Sequence, residues 1–156
     1  QYQGLVLCTI VSCRVGDGAF GVSPAKGQLL LTVRAKFEED LEKLKTQMEE
    51  FIKEKAVAAG LQWQISYQES FPETRNHLAC NEKLKQICQK ENLPYQELAE
   101  PFRWSEDYGY YTKEVPGCFF GIGDGKGYPQ IHTENYCFPD EILPTAAAIF
   151  LALAKA

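Results

Sequence analysis

The chain has 156 residues, 16 Lys and Arg against 21 Asp and Glu for a formal net charge of −5, and 45% hydrophobic residues. That length suits one ordinary domain burying roughly 70% of the surface its unfolded chain exposes, and 24% charged with 12% aromatic residues excludes disordered and low-complexity classes. An acidic balance without a Lys/Arg-rich stretch argues against nucleic acid and anionic membranes as partners, because both need a cationic footprint.

In chain order, Gly4 to Arg14 alternates apolar and β-branched residues, Gly16-Asp17-Gly18 supplies turn chemistry, and Gln28 to Lys36 places Leu29, Leu31 and Val33 on one face. Two antiparallel strands are predicted. From Glu38 to Ala59 the period becomes helical, with Leu41, Leu44, Met48, Phe51, Ile52 and Val57 as the apolar stripe. Acidic residues fill the first turn and Gly60 stands where a left-handed cap belongs. Leu61 to Phe71 alternates as a third strand, and Pro72 to Cys80 reads as a connection. Helices are expected at about Asn81 to Lys90 and from an N-cap at Ser105 through Lys113, followed by a buried strand at Cys118 to Ile122 and a glycine-rich loop to Pro129. The last helix, from Pro139 into Ala154, is apolar almost all round and therefore needs cover on every side. Its apolar run from Leu143 to Ala154 is about twelve residues long, short of the roughly 20 a membrane span takes.

The six cysteines, at positions 8, 13, 80, 88, 118 and 137, form no CxxC arrangement. Their low density and the absence of a cationic-then-apolar leader point to reduced thiols in a cytoplasm, mostly as small buried apolar side chains.

The candidate chemistry is sparse. Gly16 to Gly21 has GxGxxG spacing, but a strand rather than a helix follows, so a dinucleotide site is disfavoured. The glycines at 121, 123, 125 and 127 lack the Ser/Thr of a phosphate loop. His132, past that loop and before the last helix, is either a surface residue or a side chain at a site on the sheet edge, and no HExxH or HxxxH partner accompanies it. His77 lies in the connection, and Glu106-Asp107 reads as first-turn carboxylates. Arg34, near the end of the second strand, is either a solvent-facing neighbour of the helix or a fork aimed at a carboxylate.

Taken in order, Gly18-Ala19-Phe20-Gly21-Val22-Ser23-Pro24, Leu31-Thr32-Val33-Arg34, Phe71-Pro72-Glu73-Thr74-Arg75-Asn76, Trp104-Ser105-Glu106-Asp107-Tyr108, Val115 to Phe120, Ile131-His132-Thr133-Glu134 and Leu143-Pro144-Thr145-Ala146-Ala147 resemble the C-terminal half of the M20 family of metal-dependent peptidases and amidohydrolases. The likeness is to its aminoacylase-like and hippurate-hydrolase-like branch and covers nearly the whole chain. It implies an α+β chain in which residues 1–76 are part of a ferredoxin-like lid and dimerisation domain. Residues 77–156 would be the C-terminal part of an α/β zinc-peptidase-like catalytic domain.

The resemblance further implies a parent enzyme that cleaves amide bonds of N-acyl amino acids or small peptides with a divalent metal ion, zinc or else manganese or cobalt. His132 matches the family's last metal ligand, and Arg34 matches the lid arginine that grips the substrate carboxylate. Gly21 stands where many members carry asparagine. No residue matches the remaining ligands or the glutamate general base, so no catalytic residue is assigned. A single ligand does not hold a catalytic ion, and the 156 residues are expected to be an inactive part of a longer hydrolase that binds no metal stably by itself. A homodimer formed through the lid is expected; the alternative is a non-catalytic dimerisation module derived from the same fold.

Overall fold

The computed structural model describes residues 1–156, and the chain is α+β. It divides into two compact units, Gln1–Glu73 with Pro101–Glu106, and Thr74–Glu100 with Asp107–Ala156.

In the first unit β1 (Val6–Val15) and β2 (Gly27–Ala35) form an antiparallel pair with Val6 opposite Ala35 and Val15 opposite Gly27, and the register shifts between Ile10 and Ser12. One extra residue there is a bulge. The hairpin loop opens with the Gly16 N–H donating to the Lys26 carbonyl at 2.8 Å, so the GxGxxG run is a strand connection. Helix α1 (Glu38–Ala58) packs on β2. Its partly covered face carries Leu41, Leu44, Met48, Ile52 and the buried Ala56, the spacing that puts side chains on one side of a helix. Gly60 takes the left-handed φ of 66° expected of it.

A buried carboxylate fixes the corner where the sheet meets the helix. Asp40, 2% exposed in the first turn of α1, accepts the backbone N–H of Gln3 at 2.9 Å and of Gly4 at 2.8 Å. Next to it the Lys36 N–H donates to the Leu5 carbonyl at 2.9 Å. The Glu73 carboxylate accepts the Glu38 N–H at 3.1 Å, satisfying one of the donors that a helix start leaves open.

The third strand expected at Leu61 to Phe71 does not form: the sheet has two strands, and the segment runs past α1 without a ladder. Alternation sorts side chains onto two faces, but a strand also needs a neighbouring backbone to pair with. Two strands and one helix are fewer elements than a ferredoxin-like domain has.

The second unit holds the core. Helix α2 (Leu78–Lys90) presents Leu84 and Cys88, and helix α4 (Leu143–Ala154) presents Ile149, against which Leu93, Tyr95, Cys118, Phe120, Ile122 and Leu153 pack. Helix α2 begins three residues earlier than expected. Helix α3 (Tyr108–Glu114) is flanked by Asp107, so Ser105 is not its N-cap. The expected strand at Cys118 to Ile122 belongs to no sheet and is anchored by the residues before α2. The Asn76 amide donates to the Phe119 carbonyl and accepts the Phe119 N–H, both at 2.8 Å, while the His77 N–H donates to the Gly117 carbonyl at 2.9 Å. A primary amide imitates the donor and acceptor of a neighbouring strand.

Helix α4, preceded by a 3₁₀ turn at Asp140–Ile142, is covered on one face only, and Phe150 is 61% exposed. Likewise only Cys88 among the six cysteines is buried, and Cys8, Cys13 and Cys137 are exposed. The accessible surface is 12871 Å², against about 7,900 Å² for a folded monomer of this mass, so about half of the unfolded surface is buried rather than roughly 70%. The shortfall includes the hairpin, where Ile10 is 68% and Val11 62% exposed.

Candidate functional site

Arg34 is the penultimate residue of β2, opposite Leu7 of β1. It is half-buried, and one terminal nitrogen of its guanidinium donates to the backbone carbonyl of Arg103 at 2.7 Å. That carbonyl belongs to Pro101–Glu106, which joins the first unit while Glu100 and Asp107 on either side belong to the second. Within the segment Phe102 and Trp104 stack face to face, ring centroids 4.1 Å apart and planes 14° from parallel. No carboxylate of the chain is paired with Arg34. Its hydrogen-bond partner is a neutral main-chain oxygen.

In the second unit His132 is exposed and left-handed, φ 66°, in a turn closed by Thr133 Oγ1 donating to the Gln130 carbonyl at 2.7 Å and the Tyr136 N–H to the Thr133 carbonyl at 3.1 Å. Tyr128 braces the turn, its ring edge-on to Tyr136 and its hydroxyl donating to the Cys137 carbonyl at 2.8 Å. A non-glycine residue in that backbone region is uncommon and held by its surroundings. No three His, Cys, Asp or Glu side chains gather to hold a metal ion. His132 offers one donor where a catalytic zinc takes about three from the protein, so the residues of this chain do not fit a complete metal site.

His77 and two of the cysteines sit in packed surroundings. His77 Nδ1 accepts the Gly117 N–H at 3.1 Å. Burial pushes the thiols of Cys88 and Cys118 above the usual range, with neighbouring Cys80 adding to the effect at Cys118, which disfavours the reactive thiolate. A groove of about 420 Å³ beside α1, lined by Glu49, Trp63 and Tyr67 among others, includes neither Arg34 nor His132. In it the Tyr67 hydroxyl donates to Glu49 at 2.6 Å, and Lys45 lies 4.8 Å from the Tyr67 ring centre. No helix is long and apolar enough to cross a membrane. Sequence reasoning passed over Pro101-Phe102-Arg103, whose signal is a proline followed by aromatics around a cation.

Peptidase family M20/M25/M40 matches residues 4–156; the chain belongs to that family. It is 28% identical over 130 residues to an uncharacterized hydrolase of Staphylococcus epidermidis, covering 80% of this chain and 34% of that protein. With the putative amidohydrolase YhaA of Bacillus subtilis it shares 24% identity over 145 residues, 90% of this chain and 37% of that one. The chain thus spans about a third of the length of these curated relatives. No solved structure matches it.

Proposed function

We propose that the chain is the carboxylate-gripping and C-terminal part of an amidohydrolase acting on N-acyl amino acids or small peptides, with Arg34 as the residue that binds the substrate carboxylate. The observation that carries this reading is the position of Arg34 at the end of β2, its guanidinium paired with no carboxylate of the chain, in a member of family M20/M25/M40. A guanidinium offers two parallel N–H donors that match the two oxygens of a carboxylate.

The family is generally metal-dependent, and His132 is proposed as one donor to such an ion; zinc, manganese and cobalt are the candidates. No chemical step is assigned to it, because the donors of this chain do not complete a site. The 156 residues by themselves are proposed to be inactive. The first unit is proposed as part of a ferredoxin-like lid that dimerises. Its β1 pairs on one side only and exposes Ile10 and Val11, and an open strand edge offers backbone groups for pairing.

Purified chain, assayed against N-benzoylglycine and N-acetyl amino acids with added zinc, cobalt or manganese, is expected to show no turnover and to bind N-benzoylglycine in an Arg34-dependent way. Turnover refutes the inactivity. Equal binding by Arg34→Met refutes the assignment of Arg34.

A further inference from the structure

We draw no further inference here: the strongest candidate, the exposed apolar face of α4 that carries Leu143, Phe150 and Leu151, carries nothing, because nothing in the structure shows what covers it.

Discussion

Asp40→Ala tests whether the first unit is held by its corner rather than by a core. Asp40 is 2% exposed and accepts two backbone donors, from Gln3 and Gly4, at 2.9 and 2.8 Å. Each hydrogen bond to a charged group contributes about 1.5–3 kcal/mol net. Gln3 is exposed and Gly4 half-buried, so water replaces part of the loss and the sum falls to roughly 2–3 kcal/mol. A carboxylate in the first turn adds about 0.3–1 kcal/mol through the helix dipole. The alanine variant is therefore expected to lose roughly 3 kcal/mol, and Asp40→Asn less, since one oxygen still accepts. Glu39→Gln is the control. Its exposed carboxylate accepts from the Gln3 side chain at 2.9 Å, and its replacement is expected to change stability by less than about 0.5 kcal/mol. Urea unfolding followed by circular dichroism gives the energies, and amide exchange at Gln3, Gly4 and Leu7 gives the location. Because Leu7 lies opposite Arg34, faster exchange there would carry the damage to the proposed binding residue. An alanine variant within about 0.5 kcal/mol of wild type, with Gln3 and Gly4 amides exchanging at the wild-type rate, refutes the reasoning.

Two further outcomes follow from local chemistry. Burial, then the hydrogen bond to Glu49 and the charge of that carboxylate, push the Tyr67 phenol up to about 12 from 10.0. The unfolded chain gives up this proton first, so the stabilisation is complete below pH 10 and is lost as pH rises through 12. Ultraviolet titration is expected to lose its latest phenolate in Tyr67→Phe and to shift that phenolate earlier in Glu49→Gln; an unchanged late phase in either variant contradicts it. Two glycines should respond oppositely to substitution. Gly21, at φ 76° with nothing within 4 Å of an added Cβ, should accept asparagine with a change under about 0.5 kcal/mol, since asparagine tolerates that backbone. At Gly117 an added Cβ would lie 2.8 Å from the Tyr108 hydroxyl, so Gly117→Ala should lower stability by about 1–3 kcal/mol, read from the thermal midpoint.

The family was legible because it rests on an ordered series of short segments, from Gly18-Ala19-Phe20-Gly21 to Leu143-Pro144-Thr145, which no composition could give. Arg34 and His132 came from that order too. Taken as residues alone, each left a surface reading open. The Arg103 carbonyl was not legible at all, since a main-chain oxygen leaves no mark in a sequence and its position depends on a segment from far along the chain.

Local rules sufficed for β1, β2, α1 and the glycine cap at Gly60, because each depends on side-chain period, turn chemistry or backbone freedom within a few residues. Pairing and cover depend on what lies alongside. Leu61 to Phe71 has the alternation of a strand and no partner, and Cys118 to Ile122 is anchored through Asn76 and His77 instead of a ladder. Helix α4 is apolar on all sides and covered on one. The sequence by itself determined which segments could be helix or strand and which family they belong to. Only the tertiary structure decided which of them found a neighbour and what the Arg34 fork touches, because hydrogen-bond pairing and burial are properties of two pieces of chain rather than one.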